Sequence, residues 1–219
     1  MCGRYTLRHP EQLPTPAELL DEVDRRALMR PRYNIAPSQQ VLVVQRDAEG
    51  ERGTHAATWG LRPHWLPADR KAPINARAET VSDKPMFRGA FHKHRCLVPA
   101  DGWYEWQVQE RGPKLPHFFH RPDDRIFCFA GLASTNADGQ LTMAILTTDA
   151  NAVAKPIHGR MPVVLMEKAT TAAWLDPEAA DSTLHDLIGS ARDGDIDVRP
   201  IGRAVNKPEN DDPSVIEPV

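Results

Sequence analysis

The stretch MCGRYTL places a cysteine at position 2, directly before Gly3. Aminopeptidases generally remove an initiator methionine that precedes a small residue, which would leave Cys2 as the amino terminus. It would then carry an α-amine and a thiol two carbons apart. An α-amine has a reference pKa of about 7.7–8.0, against about 10.4 for lysine, so a substantial fraction is unprotonated at neutral pH. Such an amine attacks an aldehyde to form an imine. The adjacent thiol can then add to the imine carbon and close a five-membered thiazolidine. Only an N-terminal cysteine offers both nucleophiles, and its use in covalent catalysis depends on activation by nearby groups.

Three further polar clusters, INARAET, PADGWYEW and IHGRMP, could supply those groups. The Asn75 amide can hydrogen-bond an aldehyde oxygen or a sugar hydroxyl, with Arg77 on a phosphate; equally, Asn75 could cap the turn that follows it and Glu79 could pair with Arg77. Strand alternation in GWYEW puts Trp103 and Glu105 on one face and Tyr104 and Trp106 on the other. Beside an amine in an apolar pocket, the Glu105 pKa would rise and suit proton transfer to a leaving hydroxyl; on a solvent face it would be ordinary. Trp106 could belong to the core or stack on a base. His158 has the pKa range for acid–base work or a structural role, and Arg160 could hold a phosphate as a planar fork. Cys2 itself could be an unused residue of a frayed terminus. No single cluster decides the matter.

The elements that must position these residues read as many central strands with helices at the flanks. Thr15, Pro16 and Glu18 form a helix-start signature, followed by Leu19, Leu20, Val23, Ala27 and Leu28 at helical spacing. Val41–Val44, THAATW, RCLVP, WYEWQV, HFFHR, IFCFAGL, LTMAILT and IDVRPIG read as strands. Met86–His94, EKATTAAWL and STLHDLIGSA read as helices. This pattern predicts an α+β fold, one domain with a curved β-sheet or β-barrel-like core. The domain is expected over residues 2–205, with 206–219 a loose, acidic, proline-containing tail.

Of the 219 residues, 41% are hydrophobic and 26% charged, as expected of a soluble globular protein. A net charge of −3 argues against wholesale coating of nucleic acid but leaves room for a local basic groove. No apolar run approaches the roughly 18 residues of a membrane span, and the N-terminus lacks a signal-peptide core. The expectation is a cytoplasmic protein with Cys2, Cys96 and Cys128 reduced. Three scattered cysteines make no metal site, and His92–His94 reads as a solvated helix face.

In order, MCGRY, YNIAPSQ, WGLRPHW, NARAET, RCLVPADGWYEW, FAGL, ILTTDAN and IHGRMPVVL span roughly residues 2–165. Together they resemble the SOS response-associated peptidase (SRAP) family of abasic-site processing proteins. The resemblance implies recognition of abasic sites in single-stranded DNA, including single-strand/double-strand junctions, and a covalent crosslink that shields the lesion during the DNA damage response. It makes Cys2 the nucleophile, lets Asn75 and His158 orient the ring-opened sugar, and makes Glu105 the general acid. Arg4, Arg77 and Arg160 would contact phosphates, and Pro37, Trp65 and Trp106 would present apolar surfaces to bases. It further implies abasic-site lyase and self-processing peptidase activity, a monomer associated with the nucleoid when engaged, and neither metal nor cofactor. One departure is VSDKPMFRG, where family members often carry another basic residue, which Lys84 or Arg88 could replace. Two rivals stay open. Class II glutamine amidotransferases also begin Met-Cys-Gly, although here RYT follows. A non-catalytic single-stranded DNA reader with an inert Cys2 is the other.

Overall fold

The computed structural model describes residues 2–13, 20–46, 50–189 and 191–219. Its strands are β1 (Tyr5–Leu7), β2 (Arg32–Ile35), β3 (Gln40–Arg46), β4 (Arg52–Trp59), β5 (Asn75–Arg77), β6 (Arg95–Ala100), β7 (Gly102–Gln107), β8 (Leu115–His120), β9 (Phe127–Thr135), β10 (Leu141–Asp149), β11 (Arg160–Pro162), β12 (Val164–Leu165) and β13 (Asp197–Pro200). The helices are α1 (Glu22–Leu28), α2 (Arg88–Lys93), α3 (Lys168–Trp174) and α4 (Asp181–Leu187).

The long apolar strands build the larger sheet, ordered β11-β10-β4-β3-β6-β9-β12, with β5 added on β10. A further β9–β10 pairing joins β10, β4, β3, β6 and β9 into a ring. This is the curved core the strand pattern predicts. Val41 to Val44 and Phe127 to Ala133 are buried without alternation because the ring packs on both faces.

The smaller sheet, β13-β8-β7-β1-β2, carries the N-terminus. Tyr5 and Thr6 of β1 lie opposite Trp103 and Gly102 of β7, and Trp103 stacks on Phe119 of β8 with centroids 4.9 Å apart. Gly102 is required here: a Cβ would fall 2.3 Å from Phe118 Cε2 and 2.8 Å from the Phe119 carbonyl oxygen. Just before it, buried Asp101 accepts from Thr6 Oγ1 (2.6 Å), Arg8 Nε (2.9 Å), His9 N (3.1 Å) and the Arg8 amide. That carboxylate pins the end of β1 to the start of β7.

Three expectations change. Thr15, Pro16, Glu18 and Leu19 lie outside the described residues. The helix that follows starts at Glu22 under an Asp21 cap accepting from Asp24 N at 2.8 Å. It buries only Leu28 and leaves Val23 76% exposed, being too short to present a full apolar stripe. Asn75 is not a cap, since it opens β5 and the 3-10 turn Ala78–Thr80 begins after Arg77.

The tail is not loose. Asn34, buried in β2, donates through Nδ2 to the carbonyls of Val205 (3.2 Å), Lys207 (2.9 Å) and Asn210 (2.8 Å). Asp211 accepts from the Asn34 amide at 2.8 Å, Val215 is buried, and Ile201 pairs with Pro218. A few buried apolar and amide anchors outweigh the polar composition that suggested disorder.

Candidate functional site

The antiparallel register of β1 on β7 continues past Tyr5, with Tyr104 N donating to Arg4 O at 3.0 Å. The segment before β1 then carries Cys2 to the seam between the two sheets, where it meets Asn75 of the other sheet. From the other sheet, β5 runs parallel to β10 with Asn75 opposite Ile145. Asn75 Nδ2 donates to Cys2 O at 2.8 Å. Cys2 is fully buried, its Sγ 4.0 Å from Arg4 O. His158 lies in the turn between β10 and β11, and Gln107 Nε2, at the end of β7, ties that turn in by donating to Pro156 O at 3.1 Å.

Electrostatics distinguish these groups. Glu105 is 2% exposed, and burial raises its pKa to about 7 against the opposing charges of the amino terminus and Lys114. The carboxyl is thus poised near neutrality. Burial, then the charge of Glu105, pushes the Cys2 thiol well above its ordinary value, so it stays protonated at neutral pH. Burial also lowers the His158 pKa, so its ring is neutral at pH 7. Its Nδ1 lies 3.1 Å from both the amide and the carbonyl of Arg160. Accepting from the amide puts the ring proton on Nε2, whereas a proton on Nδ1 would go to the carbonyl. Asn75 Oδ1 is buried with no hydrogen-bond partner among the described residues, an acceptor left over at the seam.

The seam thus brings Cys2, Asn75, Glu105 and His158 together. The remaining candidates fall into three places around it. Arg4 Nη1 donates to Asn34 Oδ1 and Val205 O, both at 2.7 Å, and the guanidinium lies over Trp106, 6.0 Å from its ring centroid. Trp106 is half-buried, its Nε1 donating to Asn206 Oδ1 at 2.8 Å. Pro37 and Trp65 sit on loops at the end of β4, where Ser38 N donates to Trp59 O, and Trp65 is 52% exposed. Arg77 is exposed on the β5 edge, and Arg160 opens β11. Glu79 pairs with Arg160, not with Arg77 as the sequence allowed, because the 3-10 turn swings it toward β11. Lys84 and Arg88 are both exposed. His92–His94 ends α2 as an exposed stretch, with His92 Nδ1 3.5 Å from Asp181.

A cavity of about 600 Å³ lies elsewhere, against Gln12, Arg46, Phe127, Cys128, Leu165 and Met166. It contains none of the four seam residues, so chemistry rather than volume selects the site.

The sequence model of the family described as "SOS response associated peptidase (SRAP)" matches residues 1–208. The chain belongs to this family. The SRAP chain is 34% identical to the abasic site processing protein YoqW of Bacillus subtilis (strain 168), over 99% of both chains. It is 30% identical to YedK of Escherichia coli (strain K12), also named an abasic site processing protein, over 100% of both. A crystal structure of a Bacteroides thetaiotaomicron protein superposes with a TM-score of 0.87 over 100% of both chains at 23% identity, which shows the shared fold.

Sequence reasoning missed three residues that border the candidate site. Asn34 stood in a quoted motif, but its partners lie some 170 positions away. Gln107 and Lys114 carry no local signal. They matter only because the β7–β8 hairpin packs beside the His158 turn.

Proposed function

We propose that this chain processes abasic sites in single-stranded DNA by forming a thiazolidine crosslink through Cys2 once Met1 has been removed. The observation that carries the reading is the hold of Asn75 on the Cys2 carbonyl, next to a buried carboxyl with a pKa of about 7. Family membership and the names of the relatives support the substrate.

The Cys2 amine adds to the C1′ aldehyde of the ring-opened sugar. Glu105 protonates the resulting hydroxyl, water leaves, and an iminium forms with Glu105 as carboxylate. The thiol then adds to the iminium carbon, the electron pair returns to nitrogen, and the thiol proton restores the Glu105 acid. A proton acceptor is needed at this last step, because the buried thiol does not ionise by itself. Asn75 Oδ1 accepts from a sugar hydroxyl, and neutral His158 orients the open sugar. The iminium stage alone would permit elimination of the 3′-phosphate, the lyase reaction. Ring closure removes it and shields the lesion. The same thiol, assisted by the acid and imidazole, can take the Met1 acyl group from its own nitrogen, which is protonated to the free amine, and water then hydrolyses the thioester to release Met1.

Arg4, Arg77 and Arg160 hold backbone phosphates, while Pro37, Trp65 and Trp106 meet bases. The protein acts as a cytoplasmic monomer on single strands and at junctions. The test is intact mass after incubation with an abasic oligonucleotide. The expected product is the Met1-less protein plus oligonucleotide minus one water, absent in Cys2→Ala. A heat-stable adduct of that kind from Cys2→Ala would overturn the assignment of the thiol.

A further inference from the structure

Arg160 has five N–H donors, and its four Nη protons are already in use. Nη1 donates to Glu79 Oε1 and to Asp149 Oδ1 (2.8 Å), and Nη2 donates to Glu79 Oε2 (2.9 Å) and to Thr147 O. The fifth donor, Nε, is buried. An approaching phosphate oxygen therefore finds no uncommitted Nη proton. Glu79 grips the guanidinium fork-to-fork, the strongest geometry a carboxylate has for arginine. Glu79 is 45% exposed and Asp149 85% exposed, so either carboxylate could return to water at modest cost.

We infer that Glu79 is a latch on Arg160, an internal carboxylate that a DNA phosphate must displace, and that it limits reversible binding to strands offering no aldehyde. This rests on the reading of Arg160 as a phosphate contact. An intact strand gains only reversible contacts and must compete with Glu79 for the fork. An abasic strand meets the same competition but is retained covalently. The latch thus widens the gap between productive and unproductive occupancy without touching the lesion, which makes Glu79 a specificity determinant. Arg160 holds the Glu79 carboxyl below the ordinary carboxylate range, so the latch is charged throughout the neutral range.

Fluorescence anisotropy with an intact single strand and with a reduced, unreactive abasic strand tests this. Glu79→Gln should tighten both by about three- to tenfold at low salt. It should steepen the salt dependence by up to about 0.7 in log–log slope, because Arg160 freed from Glu79 neutralises up to one more phosphate, whose counterion is released. In an Arg160→Ala background the gain should largely vanish. Weaker binding by Glu79→Gln would show that Glu79 positions the fork instead, and an equal gain in both backgrounds would reduce the effect to general repulsion; either overturns the latch. Wild-type adduct formation by intact mass is measured alongside. Its absence brings down the crosslinking function, while the anisotropy comparison still decides the latch.

Discussion

Asn75 Nδ2 donates to the carbonyl oxygen of Cys2 at 2.8 Å, linking β5 of one sheet to the segment that enters β1 of the other. The bond engages the segment from the carbonyl side, so under the proposed mechanism Asn75 does not compete for the Cys2 nitrogen or thiol. Asn75→Asp puts an acceptor against an acceptor, and Asn75→Ala removes the tether. A lost hydrogen bond of this kind is about 1 kcal/mol net. Adduct formation should therefore slow at least about fivefold in Asn75→Ala and more in Asn75→Asp, with the thermal midpoint little changed. A time course by denaturing gel reads the rates, and unaltered rates in both variants would remove Asn75 from the site.

Glu105 titrates near 7 when folded, above the ordinary carboxylate value of 4.5. If its acid form donates to the leaving hydroxyl, the single-turnover rate should fall as pH rises through about 7, and Glu105→Gln should flatten that limb. The stability effect has the opposite sense to that of a salt-bridged carboxylate. Between pH 4.5 and 7 the folded state binds more protons than the unfolded, so stability declines over this window and stays reduced above it. Glu105→Gln should accordingly raise stability at pH 8, by up to about 3 kcal/mol, while slowing the reaction. Urea titrations at pH 5 and pH 8 check the sign.

Asp101 is wholly buried and accepts from Thr6, Arg8 and His9. Asp101→Ala would leave Asp124 as the one carboxylate on Arg8 among the described residues, and would strand Arg8 Nε, the Thr6 hydroxyl and the amides of Arg8 and His9. A loss of about 3–5 kcal/mol is expected in chemical denaturation. A loss below about 1 kcal/mol would mean the network is not what pins β1 to β7.

Asn34 anchors the C-terminal segment through three carbonyls and holds Arg4 through its own oxygen. Asn34→Ala should cost about 2–4 kcal/mol and expose residues 206–219 to protease while the rest resists. Asp211→Ala should act in the same direction. Cleavage patterns identical to wild type would show that the tail is held by Val215 and the Ile201–Pro218 bridge instead.

The sequence by itself determined the repertoire. MCGRY, NARAET, GWYEW and IHGRMP offered Cys2, Asn75, Glu105 and His158 as candidates beside bland alternatives, and the resemblance of the ordered motifs to one family is what assigned them roles. It also marked β3, β4, β6 to β10 and β13, whose apolar runs such as VLVV and FCFAGLA suit a sheet packed on both faces, but not the short β1, β2, β5, β11 and β12, which pairing with distant strands defines. Only the tertiary structure decided who partners whom. Glu79 went to Arg160 rather than Arg77, the acidic tail became a packed element, and Asn75 proved a tether rather than a cap. Each of those outcomes is a contact between residues far apart in the chain. Local propensity carries no information about such pairs, and burial, which raises the Glu105 pKa, exists only once both sheets have closed on the seam.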